Sequence, residues 1–99
     1  MLKISLIDSF TQRRLVLEGR LIAPWADELR AACESAKVHL DHRELVIDLK
    51  HITAISREGE NVLLEFMSEG VKFRGHDVFA KHILKQLSRR TKQKLQEVR

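Results

Sequence analysis

The sequence predicts a single α/β layered domain in the order β-β-α-β-α-β-α. Its helices should lie mainly on one face of a four- to five-stranded mixed sheet. Three observations carry this expectation. From residue 20 onward, short strand-like stretches alternate with longer stretches of helical period, the pattern of parallel strands joined by crossover helices. The first two strand-like stretches lie too close together for a crossover and should pair as an antiparallel hairpin. The run "ELVIDL" (44–49) is apolar at Leu45, Val46 and Ile47 without alternation, which suits a central strand covered on both faces.

Each element follows from local pattern. In "LKISLI" (2–7), Leu2, Ile4 and Leu6 face one way and Lys3 and Ser5 the other, as in a half-buried strand. "DSFTQRR" turns the chain, and "RLVLEGR" (14–20) supplies the second strand. "APWADELRAACESAKVHL" (23–40) reads as the first helix. Pro24 suits its first turn, and Asp27 and Glu28 sit near the positive end of the dipole. Trp25, Leu29, Ala32, Cys33 and Ala36 form its buried stripe. Asp48 closes the central strand, placed to hydrogen-bond the loop that follows. A second helix occupies "EGENVLLEFMSEG" (58–70), with Val62, Leu63, Phe66 and Met67 on one face and Gly70 as its C-cap. "VKFRG" (71–75) is a short alternating strand. "HDVFAKHILKQLSRRTKQKLQEV" (76–98) is a last helix with Phe79, Ile83, Leu84 and Leu87 inward, and beyond Arg90 its apolar spacing thins.

Ninety-nine residues, 43% apolar and 32% charged, describe one globular domain that needs no metal or disulfide staple. No apolar run reaches the roughly 20 residues of a membrane-spanning helix, and the N-terminus turns polar too soon for a secretory signal. The expected location is the cytoplasm. The single cysteine, Cys33, permits no internal disulfide and reads as a small buried hydrophobe. Charge is uneven: from Lys81 onward seven Lys/Arg face one acid, while the first eighty residues carry a net of −2. The basic end comprises Lys81, Lys85, Arg89, Arg90, Lys92 and Lys94, with a basic helical C-terminal part from about residue 88. It reads first as a solvated helical tail. Nucleic acid is not favoured as its partner, because no aromatic side chains interleave for base stacking.

No constellation for catalysis, cofactor or metal can be assembled. The glycines at 19, 59, 70 and 75 fit neither dinucleotide nor P-loop spacing, and no nucleophile elbow is present. His39, Asp41 and His42 of "HLDH" lie in a connecting loop without the three or four ligands a metal site needs. His51, His76 and His82 are dispersed and read as surface or edge residues. What remains is the junction "ISREG" (55–59). There Ser56 is a reasonable N-cap, and Glu58 falls in the first turn, where negative charge is favoured. Gly59 also falls in that turn, where a glycine weakens the helix unless the close approach of another chain rewards it.

Together, "LVLEGRLIAPWADELRAAC", "ELVIDLKHITAISREG" and "EGVKFRG" resemble a STAS domain, the module of anti-sigma-factor antagonists and sulfate-transporter tails. The matching features are Leu17 to Gly19 before the first helix, Asp48 and Leu49, Ile52, Ile55 and Gly59. The resemblance covers about residues 2 to 90. It implies a non-catalytic regulatory module that binds a protein partner, an anti-sigma factor of the serine-kinase kind. In such antagonists the loop before the second helix reads aspartate, serine, serine, glycine. Its first serine is phosphorylated by the anti-sigma kinase, and the unphosphorylated form binds that kinase and frees the sigma factor. Aligned through Gly59, the phosphoacceptor position is Arg57, which cannot take a phosphate on oxygen, and Ser56 is the nearest hydroxyl for a shifted site. The partner-binding surface implied is Ser56, Arg57, Glu58 and Gly59, without the usual switch. Two other readings stand beside it: an accessory subunit of a membrane transport system, and binding of nucleic acid or an anionic surface through the basic end. A homodimer is compatible with all three.

Overall fold

The computed structural model describes the backbone of residues 1–97 and the side chains of residues 1–91. Strands β1 (Leu2–Asp8) and β2 (Gln12–Leu21) form the hairpin. Helix α1 (Trp25–Ala36), strand β3 (Glu44–Ile55), helix α2 (Arg57–Ser68), strand β4 (Lys72–Gly75) and helix α3 (Val78–Glu97) follow. The element order expected from the sequence is the observed one. β1 pairs antiparallel with β2, and β2–β3 and β3–β4 are parallel, giving one four-stranded sheet in the order β1-β2-β3-β4.

One core forms on one face of this sheet. Leu15, Leu17, Ile47 and Leu49 meet Ala26, Leu29 and Cys33 of α1, Val62, Leu63 and Phe66 of α2, and Ala80, Ile83 and Leu87 of α3. The three helices therefore share one side, and among the described residues the other face of the sheet carries no helix. Val16 and Val46 on that second face are buried all the same, 6% and 1% exposed. Their cross-strand neighbours include Asp48 for Val16 and Arg14 and Lys72 for Val46. The apolar stems of Arg14 and Lys72 exclude water over Val46 where no helix does, so the non-alternating run at 45–47 has a physical reason.

Four local expectations need correction. First, α1 ends at Ala36 instead of running to residue 40. His39, Asp41 and His42 all have positive φ, which ends the helix and folds the loop tightly. Arg13 Nη1 donates to the Ala36 and Val38 carbonyls, and Arg43 donates to those of Leu40 and His39. The carbonyls a longer helix would have used are thus taken by arginines. Pro24 is the N-cap residue of α1, just ahead of its first turn. Second, β3 continues past Leu49 to Ile55, because Glu18 to Leu21 of β2 pair with it that far. Third, Asp48 lies inside β3, not at its end. Fourth, Phe79 is 40% exposed. The Asp77 carboxylate caps α3 by accepting from the Ala80 N–H at 2.8 Å, and this sets a helix phase that turns Ala80, Ile83 and Leu87 inward.

No helix among the described residues is long and apolar enough to cross a membrane, and no group of three or more His, Cys, Asp or Glu could hold a metal ion among them.

Candidate functional site

The junction between β3 and α2 is built by the hydrogen-bonding needs of a helix start. Ser56 is extended, with φ −95° and ψ 173°, and its Oγ accepts from the Gly59 N–H at 3.3 Å. That is an N-cap, satisfying one of the donors a helix leaves open. The Ser56 N–H donates to the Leu21 carbonyl at 3.0 Å, tying the junction to the end of β2. Glu58 lies in the first turn, and its carboxyl is held below the usual carboxylate range by its own backbone N–H, then by the Ser56 hydroxyl. Arg57 and Glu58 are both exposed.

Gly59 has a role the sequence did not disclose. It is buried, and a Cβ on it would stand 2.4 Å from the Leu21 carbonyl oxygen and 2.9 Å from Leu21 Cγ. The close approach that requires a glycine comes from this chain's own β2. Gly59 therefore sets the depth at which α2 sits on the sheet, while the exposed surface of the junction is Arg57 and Glu58.

Of the basic end, Lys81, Lys85, Arg89 and Arg90 are exposed on α3. Arg90 Nη1 donates to Glu60 Oε2 at 3.4 Å, so this residue is tied to the first turn of α2. The basic end and the junction are thus neighbours through one ion pair. The side chains of Lys92 and Lys94 lie outside the described residues. Cys33 is fully buried, and burial pushes its thiol up to about 12, which removes it as a nucleophile.

A second constellation lies on the helix-free face. Asp48 is 4% exposed, and its Oδ1 lies 2.9 Å from Nε2 of His76, a residue 28 positions away. Its Oδ2 stands 4.0 Å from Arg14 Nη1. His76 is thus the partner of a buried acid and more than an edge residue. No spacing signal could have found this pair; only the parallel pairing of β3 with β4 brings the two together.

No family model matches the chain, and no curated protein matches it. Solved structures do. One is Mglu, at 18% identity and a TM-score of 0.57, where the match covers 74% of this chain and 19% of that one. Another is a DUF3478-family protein from Shewanella loihica PV-4 with a SpoIIAA-like fold. It is 15% identical with a TM-score of 0.54, and the match covers 79% of this chain and 70% of that one. The chain spans about a fifth of the length of Mglu, so in that protein the shared fold is one part of a larger chain. At such identities the likeness speaks to architecture, and it agrees with the strand order, the hairpin and the one-sided helices: the chain has the SpoIIAA-like, STAS-like fold.

Proposed function

We propose that this chain is a non-catalytic regulatory module that docks a protein partner through the start of α2, as anti-sigma-factor antagonists do, but without the serine switch. The observation that carries this reading is the pair of exposed charges, Arg57 and Glu58, at the β3–α2 junction of a SpoIIAA-like scaffold. Charge complementarity there can select a partner and speed its encounter. The position equivalent to the phosphoacceptor is Arg57, which has no hydroxyl. Ser56 has one, but it is engaged as the helix cap. The partner class that fits is an anti-sigma factor of the serine-kinase kind, and the complex would not be released by phosphorylation.

The test mixes the protein with a purified serine-kinase anti-sigma factor and ATP, and reads complex formation and phosphate incorporation together. The expected result is a stable complex with no phosphate on the chain. An Arg57→Ala/Glu58→Ala variant should lose the complex while keeping its melting temperature. Stoichiometric phosphorylation, or binding indifferent to both substitutions, would refute the reading. Phosphate found on Ser56 would place the switch one residue upstream and restore the ordinary mechanism.

A further inference from the structure

The helix-free face holds a hollow of about 480 Å³ lined by Ile7, Arg14, Val16, Asp48, Lys50 and His76. Its hydrogen-bonding groups do not balance. Two cations and an imidazole surround one carboxylate, that of Asp48. Asp48 Oδ1 is engaged by His76 at 2.9 Å, while Oδ2 is 4.0 Å from Arg14 Nη1, beyond hydrogen-bond reach. Arg14 Nε is buried with no hydrogen-bond partner, the one such buried side-chain nitrogen or oxygen among the described residues. A desolvated donor without an acceptor is unfavourable, so the chain leaves this guanidinium incompletely satisfied. The part of it open to a ligand is the exposed third of the side chain and not the buried Nε.

The surroundings have the same sign. By register, Lys72 lies beside Val46 and Arg74 beside Asp48, so β4 adds two cations to this face. On the far side Lys3 lies beside Glu18. Around the hollow, then, Lys3, Arg14, Lys50, Lys72 and Arg74 outnumber Glu18, Glu44 and Asp48 among the described residues of this face. Arginine offers a planar fork of N–H donors that suits a two-oxygen acceptor, and its charge strengthens each bond. Ile7, about half exposed at 51%, supplies an apolar wall beside that fork.

The geometry points to a binding site for a small oxyanion, a phosphoryl or carboxylate group carrying an apolar body, with Arg14 taking the anion and Ile7 and Val16 the body. Asp48 fixes the His76 ring and stands at ion-pair distance from Arg14 without a hydrogen bond to it, so guanidinium donors remain for the ligand. Lys50 stands at the rim. Among the described residues no Phe, Tyr or Trp lines the hollow and its one ring, that of His76, is held by Asp48, so it lacks the broad stacking platform a single-stranded nucleic acid uses. This site is separate from the α2 junction and stands or falls independently of it.

The test is a titration of the ¹⁵N-labelled protein at constant ionic strength, followed by NMR. The probes are phenyl phosphate, benzoate and inorganic phosphate, with benzyl alcohol as the neutral control. Saturable shifts are expected at the amides of Arg14–Val16 and Asp48–Lys50 with phenyl phosphate or benzoate. Whichever binds tighter identifies the phosphoryl or the carboxylate source, and inorganic phosphate should bind more weakly than phenyl phosphate. Arg14→Gln should weaken binding by about tenfold or more, the loss of a charge-assisted pair of bonds. Lys50→Gln, a change at an exposed rim position that leaves the fold alone, should weaken it by about threefold. Arg57→Gln should change nothing. Equal shifts from benzyl alcohol, shifts confined to Ser56–Gly59, no saturable shift at all, or full affinity in both the Arg14 and Lys50 variants would each overturn the assignment.

Discussion

Gly59→Ala separates the two reasons a glycine could sit in the first turn of α2: packing within the chain, or room for a partner. A Cβ at this position would stand 2.4 Å from the Leu21 carbonyl oxygen and 3.1 Å from Ile55 Cγ1. Side-chain carbons rarely come nearer than about 3.0 Å to backbone oxygen, so helix and strand must separate by roughly 0.6 Å, in a core that is close-packed. The neighbour is backbone, and that carbonyl also accepts from the Ser56 N–H at 3.0 Å. Moving it therefore strains the cap as well. Overpacking of this kind costs about 1–3 kcal/mol. Replacing glycine by alanine within a helix returns up to about 1 kcal/mol of backbone entropy. The net expectation is a loss of about 1–2 kcal/mol, which lowers Tm by roughly 5–15 °C in a domain of this size. Urea unfolding followed by circular dichroism measures it, with the midpoint falling at unchanged m-value. A variant as stable as the parent, or more stable, would refute the packing argument and return Gly59 to the docking surface.

Two further outcomes follow from the charges and the thiol. The Asp8 carboxyl is held below the usual range, first by its hydrogen bond from Arg13 and then, against some desolvation, by the charges of Arg13 and Arg43. A depressed folded-state value means stability that is present above the unfolded value, near pH 4, and is lost as pH falls through the lowered one. Asp8→Asn should therefore flatten the acid limb of a Tm-against-pH profile and leave little change in its slope near neutrality; an unchanged acid limb would show that the Arg13–Asp8 pair is fully screened. The Cys33 thiol, pushed up to about 12 by burial, should react with a thiol reagent such as dithionitrobenzoate only at the rate of global unfolding. Fast labelling under native conditions would contradict its place in the core.

The parts of the fold legible in the sequence are those set by local periodicity. Leu2, Ile4 and Leu6 against Lys3 and Ser5, or Val62, Leu63 and Phe66 on α2, state a face without reference to anything distant. Ser56 as cap of α2 was equally local, because an N-cap answers to the N–H three residues on. Most of the misreadings have a different cause. The end of α1 depends on Arg13, 23 positions before the Ala36 carbonyl it takes. β3 runs on to Ile55 because β2 is there to pair with it. Phe79 sits outside because the Asp77 cap and the tight contact of Gly75 with Ala80 set the helix phase. Asp48 and His76, the most deliberate polar contact on the sheet, become neighbours only through strand order. All but the Phe79 case are long-range facts of which a single sequence carries no local trace; the Asp77 cap is three residues from the N–H it serves and was open to a local reading.

Arg57 is a residue whose presence the fold does little to explain. It opens α2, where the helix macrodipole disfavours a cation by about 0.3–1 kcal/mol. Among the described residues it makes no side-chain hydrogen bond and no salt bridge of its own, and it is exposed. Its neighbours all serve the fold: Ser56 caps, Glu58 complements the dipole, and Gly59 admits the Leu21 carbonyl. Arg14 presents the same imbalance on the other face, a guanidinium whose Nε finds no acceptor within the chain. A cation that does little for its own structure is available for an interaction outside the chain. On the proposals made above, that interaction is with a protein partner at the open end of α2 for Arg57, and with a small oxyanion in the hollow for Arg14. If both proposals hold, the two arginines divide the surface into a docking end and a binding face, and a substitution at either should leave the other's partner untouched.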